Sequence, residues 1–265
     1  MFIDSHCHLD KLDLSLFDGQ FANVIAQAKA AKVERMLCIG VTLEEFPAMQ
    51  ALVADYPEVV ISCGAHPLYI AEHDLAREQL LAYAQQDNVV AIGETGLDYF
   101  YAADTKAQQQ QSFSYHVEVA RQLEKPLIIH TRDAQQDTLD ILRNGGAEHC
   151  GGVLHCFTES LDMAEQAIEQ LGFYISISGI VSFANAKALR DVVKALPIER
   201  LLIETDSPWL APVPHRGKQN QPAYVADVAR CIAEVKGLTI EQVAEHTSQN
   251  FYQLFGRAQR GSLPS

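Results

Sequence analysis

Six side chains of this chain are of the types that hold divalent cations, and their spacing suggests that they meet. His6 and His8 are separated by one residue, so on a strand both imidazoles leave the same face and can reach one point. Such a pair alone is a weak signal, because histidine pairs also arise by chance. Its weight comes from four later segments that each follow an apolar run: Glu94 in Gly93-Glu94-Thr95-Gly96-Leu97-Asp98, His130 in His130-Thr131-Arg132, His155 in His155-Cys156-Phe157, and Asp206 in Glu204-Thr205-Asp206-Ser207-Pro208. Four imidazoles and two carboxylates exceed what one tetrahedral zinc ion uses, which predicts two ions sharing a bridging carboxylate. Glu94 is read as the bridge, His6, His8 and Asp206 as ligands mainly of one ion, and His130 and His155 as ligands of the other. Zinc, magnesium and manganese all suit this donor set.

The elements that must position these residues follow a simple rhythm. Short apolar or β-branched runs fall at 2–5, 35–40, 59–64, 89–93, 127–130, 152–156, 173–178 and 201–205, eight in all. Amphipathic stretches separate them at 20–31, 43–55, 74–86, 105–123, 134–143, 161–170 and 185–195, and 222–236 and 240–255 follow the last strand. Repeated βα units of this kind build a parallel sheet. An open doubly wound sheet favours a glycine-rich phosphate loop after an early strand, and the chain has neither GxGxxG nor GxxxxGK[ST]. The expectation is an α/β fold, a (β/α)8 TIM barrel, whose strand C-termini converge on one mouth where active sites form. One domain over residues 1–265 is expected, with a frayed tail at about 256–265.

Together the HxH start, Gly93-Glu94-Thr95-Gly96-Leu97-Asp98, Ile129-His130-Thr131-Arg132-Asp133-Ala134, Leu154-His155-Cys156-Phe157 and Glu204-Thr205-Asp206-Ser207-Pro208 resemble the TatD family of metal-dependent deoxyribonucleases in the amidohydrolase superfamily. The likeness runs from Phe2 to about Phe255 and extends to Cys63-Gly64-Ala65-His66-Pro67 and Pro214-His215-Arg216-Gly217-Lys218-Gln219-Asn220. It implies a barrel with divalent ions at its mouth, held at His6, His8, Glu94, His130, His155 and Asp206. It also implies a nucleic-acid substrate, foremost DNA. Members of the family degrade DNA from an end or act on damaged ends, and a related branch removes D-amino acids from tRNA.

Paired ions would activate a water for attack on phosphorus. Asp206 is placed to orient that water or take its proton, and Glu94 to hold the ions together. The same chemistry would serve an ester or amide substrate, such as a D-aminoacyl-tRNA, and a non-catalytic metal-binding protein would need closed ion sites. Arg132, His66, Arg216 and Lys218 are candidate substrate contacts. Arg132 lies two residues past His130 and suits a phosphate, against a salt bridge to Asp133 or another surface acid. His66 divides evenly between a site residue and a capping one. Arg216 and Lys218 sit after strand eight, where barrels often bind phosphate, against a solvated loop. Asp98, four residues beyond Glu94, is a weaker candidate for the site, against simple turn chemistry, and Cys7 and Cys156 are expected in packing. No GxSxG or other organised nucleophile motif appears.

Composition excludes several other classes. With 48% hydrophobic and 20% charged residues, neither a disordered nor a fibrous chain is indicated. The net charge of -14 argues against a broad basic nucleic-acid surface, although bound cations can supply local positive charge. Six scattered cysteines without a CxxC pair read as reduced thiols. No apolar run reaches the ~18 residues of a membrane span and the N-terminus lacks a leader pattern. A cytoplasmic location, no membrane partner and no obligate protein partner are expected.

Overall fold

The computed structural model describes residues 1–70 and 77–256. Eight strands, β1 (Phe2–Cys7), β2 (Val33–Cys38), β3 (Val59–Cys63), β4 (Val89–Asp98), β5 (Leu127–Arg132), β6 (Gly152–Leu154), β7 (Tyr174–Ile177) and β8 (Leu201–Ile203), pair in parallel in chain order. Helices α1 (Phe21–Ala30), α2 (Phe46–Val53), α3 (Arg77–Ala84), α4 (Lys106–Leu123), α5 (Gln135–Gly145), α6 (Leu161–Leu171) and α7 (Lys187–Ala195) alternate with them, and α8 (Val225–Lys236) and α9 (Ile240–Leu254) follow β8. The fold is the expected (β/α)8 barrel. The early part of the expected 74–86 helix and nearly all of the expected frayed tail lie outside the described residues.

Two apolar layers hold it together. Every strand contributes to the barrel interior, through residues such as Ile3, Leu37, Val60, Ile128, Val153 and Leu202. A larger layer, including Met36, Cys38, Leu127, Leu142, Val193 and Ile232, fills the space between barrel and helices. Phe251 and Phe255, both fully buried, join the interior layer from the end of α9. Asn250 Nδ2 on the same helix donates to Leu201 O at 2.8 Å and Ser248 Oγ to Met1 O at 3.3 Å, so α9 caps the end of the barrel where the strands begin. A Thr239–Gln242 capping box starts α9 and satisfies two N–H groups that an uncapped first turn leaves open.

The strands are not regular where the ligand-type residues stand. Ile3 faces the interior while Cys7, four residues on, packs outside, although strict alternation would put both on one face. Asp4 pairs with Met36 and Cys7 with Cys38, so β1 carries one residue more than β2 between them. That bulge resets the alternation, as bulges do, and turns His6 and His8 toward the mouth. β4 has a like excess against β5, since Ile92 pairs with Leu127 and Thr95 with Ile129, and Glu94 sits within it. β4 also runs past the expected 89–93 to Asp98. Gly96 permits this extension: with φ of 136° it lies so close to β5 that an added Cβ would come 1.9 Å from His130 O. Among the described residues no helix is long and apolar enough to cross a membrane.

Candidate metal centre

The barrel closes through the residues that carry the first candidate ligands. Asp206 N donates to His6 O at 2.9 Å and His8 N to Ser207 O at 2.8 Å, which continues the ladder from β8 back to β1. Asp4 supports this seam, since its buried carboxylate accepts from Thr205 N at 2.8 Å and Thr205 Oγ1 at 2.6 Å. Burial pushes the Asp4 carboxyl up to about 8 against those bonds. Asp206 takes a φ of 56°, a left-handed conformation that Asp tolerates better than most residues.

Around this seam His6 Nε2 lies 3.2 Å from His8 Nε2 and 3.6 Å from Asp206 Oδ1, and His8 Nε2 lies 3.3 Å from Asp206 Oδ1. Glu94 Oε2 is 3.3 Å from His6 Nε2 and 3.8 Å from His8 Nε2. The other oxygen, Oε1, faces a second set: His155 Nε2 at 2.7 Å, His130 Nδ1 at 3.3 Å and His66 Nε2 at 3.3 Å. The Glu94 carboxylate thus stands between two groups of imidazoles, one on each oxygen. The imidazoles of His6 and His155 stack at 3.8 Å between them.

These residues suit divalent cations. Ligand atoms about 2.1 Å from a tetrahedral centre lie roughly 3.4 Å from one another, close to the separations above. Buried His155 Nε2 points into the cluster and meets Glu94 Oε1 at 2.7 Å. Two carboxylates are held anionic there. Burial raises the Glu94 carboxyl, but the charges of His155 and His66 and hydrogen bonds from His130 and His155 outweigh it and hold it well below its ordinary value. Burial likewise opposes ionisation of Asp206, and the His8 hydrogen bond and neighbouring imidazoles bring it down. His155 is driven well above its ordinary value, burial being overcome by Glu94 and Glu204.

Carboxylates behind the cluster orient two of the imidazoles, those of His130 and His155. His130 Nε2 meets Asp98 Oδ2 at 3.0 Å, leaving Nδ1 toward Glu94, and His155 Nδ1 meets Glu204 Oε1 at 3.3 Å, leaving Nε2 inward. A metal-binding histidine almost always has such a carboxylate or carbonyl on its other nitrogen. Glu204, fully buried, is not among the sequence candidates, although its place two residues before Asp206 is a signal for a shared face. Asp98 makes the turn contacts, Oδ1 accepting from Phe100 N at 3.1 Å and Tyr101 N at 2.8 Å, while Oδ2 meets His130 Nε2. His66 makes the capping contact, accepting from Leu68 N through Nδ1 at 3.2 Å, while Nε2 lies 3.3 Å from Glu94 Oε1.

The remaining candidates separate. A cavity of about 550 Å3 opens over the cluster and is lined by His66 and Arg132 but by neither Arg216 nor Lys218. Arg132 lies over the rings of Phe100 at 4.5 Å and Tyr101 at 5.1 Å, and no ion pair with Asp133 forms. Arg216 donates to Ala211 O in its own loop at 3.1 Å and lies 3.7 Å over the ring of Phe183, which follows β7. Lys218 is exposed. Cys7 Sγ donates to Leu37 O and Cys156 Sγ contacts Ser178 Oγ, so both thiols pack as expected.

Residues 3–256 match the family model described as TatD related DNase. The chain belongs to the TatD family. It is 51% identical over 254 residues to an Escherichia coli protein named as the uncharacterized metal-dependent hydrolase YcfH, covering 96% of this chain and 95% of that one. A Citrobacter rodentium protein named 3'-5' ssDNA/RNA exonuclease TatD is 34% identical over 92% of this chain and 97% of its own length. The crystal structure of the Escherichia coli TatD homologue YJJV superposes with a TM-score of 0.88 at 30% identity, over 96% of this chain and 98% of that one. As a TatD-family member, the chain is a metal-dependent hydrolase.

Proposed function

We propose that this TatD-family chain is a nuclease that hydrolyses phosphodiester bonds, with DNA as its foremost substrate, at two divalent ions. The observation that carries the reading is the Glu94 carboxylate, whose two oxygens face separate imidazole sets. In this reading His6, His8, Asp206 and Glu94 hold one ion, and Glu94, His130 and His155 hold the other, with His66 beside it. Zinc, magnesium or manganese fits the donors. Bound there, such ions would polarise a phosphoryl oxygen and acidify a water.

The chain's own residues supply the rest. Asp206, anionic and next to His8, orients the attacking water and accepts its proton. Glu94 keeps the two sets of imidazoles at fixed separation. Asp98 and Glu204 fix which nitrogen of His130 and His155 points inward. Arg132, on the cavity wall, contacts a phosphate, and Arg216 and Lys218 add long-range attraction from outside the cavity. The whole chain acts as one domain, and its six unpaired thiols support action in the cytoplasm.

The test is incubation of purified protein with end-labelled single- and double-stranded DNA, RNA and an aminoacyl-tRNA across several metals, with bound metal counted in parallel. Stepwise shortening of DNA by protein holding two ions is expected. Release of only the amino acid from the tRNA would overturn the nuclease reading.

A further inference from the structure

Of three exposed aromatic side chains on the wall of the cavity over the metal centre, Tyr69, Tyr101 and Trp209, the last two are the most exposed. Tyr101 is 65% exposed and Trp209 49% exposed, and both line the cavity. Tyr101 follows β4 and Trp209 follows β8, and in a barrel of eight strands paired in order these two strands are half a turn apart. The aromatics therefore rise on opposite sides of the mouth.

Both are tied to the centre below. Tyr101 N donates to the Asp98 carboxylate that also holds His130, and its ring packs edge-on to Phe100 at 4.7 Å with the Arg132 guanidinium 5.1 Å away. Trp209 N donates to Asp206 O at 3.0 Å, its carbonyl accepts from Asn220 Nδ2 at 2.6 Å, and its ring lies 5.1 Å from that of His8. A free-standing exposed ring costs solvation without gain, whereas rings anchored beside a reactive centre offer a fixed flat surface.

We propose that Trp209 and Tyr101 are base-stacking surfaces, each holding one unpaired base on either side of the scissile phosphate. The inference rests on the nuclease reading above. Stacking on an aromatic ring tolerates any base, since every base has a π-face. Arg132, on the same cavity wall and 5.1 Å from the Tyr101 ring, takes the intervening phosphate. A duplex turns its bases inward and presents neither face, so the pair selects unpaired ends without reading sequence. With a net charge of -14 on the chain, stacking compensates for weak backbone attraction.

The chain has one tryptophan, so its emission reports on Trp209 alone. Magnesium-loaded protein is titrated with a phosphorothioate thymidine oligonucleotide, following both tryptophan emission and the anisotropy of a label on the oligonucleotide. Quenching that tracks the anisotropy is expected. Trp209→Ala and Tyr101→Ala should each weaken binding roughly 5- to 100-fold, Trp209→Phe should restore most of it, and an abasic oligomer should bind all four proteins alike. Binding by anisotropy with unchanged emission, and with both alanine variants at wild-type affinity, would overturn the stacking proposal while leaving the nuclease reading intact. Absence of both binding and cleavage for every nucleic acid would overturn the nuclease reading and this inference with it.

Discussion

The backbone N–H of Asp206 donates to the carbonyl oxygen of His6 at 2.9 Å, joining the two ends of the barrel sheet through two of its candidate ligands. The contact spans 200 positions of sequence, and the same seam that closes the fold sets the spacing of His6, His8 and Asp206. Stability of the barrel and geometry of the site are therefore coupled at β1 and β8, whereas Glu94 lies across the barrel from that seam and can be altered without opening it.

Glu94→Gln should accordingly stay folded yet lose hydrolysis by several orders of magnitude, because a neutral amide cannot serve two cations. Metal content should drop below two ions per chain, and chelation of the wild type should abolish turnover until a divalent ion is restored. Elemental analysis with circular dichroism checks the first statement. Full activity in demonstrably metal-free protein would refute the second.

Asp98→Asn and Glu204→Gln change no proposed ligand; they alter the partner of a ligand's far nitrogen and leave an amide oxygen to accept the backbone N–H bonds that Phe100, Tyr101 and Cys156 give these two side chains. Losing that partner is expected to weaken metal binding roughly 10- to 100-fold. Competition with a chromogenic chelator measures it, and unaltered affinity in both variants would deny these carboxylates an orienting role.

Arg132 on one hand and Arg216 with Lys218 on the other should differ in kind. Arg132→Ala is expected to raise KM for DNA and to lower kcat, because it lies on the cavity wall. Replacing Arg216 and Lys218 together should raise KM and flatten the salt dependence with kcat kept, as fewer counterions are released. Kinetics at several salt concentrations resolve the two; an unchanged salt slope would assign the loop to solvent.

His116 ties acid stability to the site wall. It is fully buried, accepting from Ala65 N at 2.9 Å through Nε2, with Nδ1 2.7 Å from Ser112 O. Burial lowers its pKa from 6.5 to about 4. The folded chain thus refuses a proton that the unfolded chain accepts, so the stability it contributes is present above about 6.5 and lost as pH falls toward 4. The loss by pH 4 is on the order of 3 kcal/mol. Urea unfolding of wild type and His116→Gln between these pH values should show the steeper decline in the wild type; parallel declines would dismiss the assignment.

Phe251→Ala should destabilise the fold by about 3–5 kcal/mol, the usual range for emptying a buried aromatic site. Since Phe251 packs at the end of the barrel away from the cluster, metal content at low temperature should be unaffected. Denaturant midpoints and elemental analysis on the same samples decide this.

The alternation of apolar runs and amphipathic stretches determined the barrel by itself, because hydrophobic period and element order are local properties that a single chain carries in its residues. The residue types at the strand ends likewise marked the mouth as a place for cations. Tertiary structure alone decided how they face one another. The extra residue in β1 reverses the side on which His6 and His8 emerge, and a register shift depends on the neighbouring strand, which no local pattern contains. Glu204 and His66 follow the same logic. Glu204 is one more carboxylate on an apolar run until β6 brings His155 within 3.3 Å of it, and His66 is a turn residue until β4, lengthened past its apolar run, sets Glu94 3.3 Å from its ring. Arg216 likewise gains a partner that only folding could supply, its planar group lying over the ring of Phe183, 33 positions away.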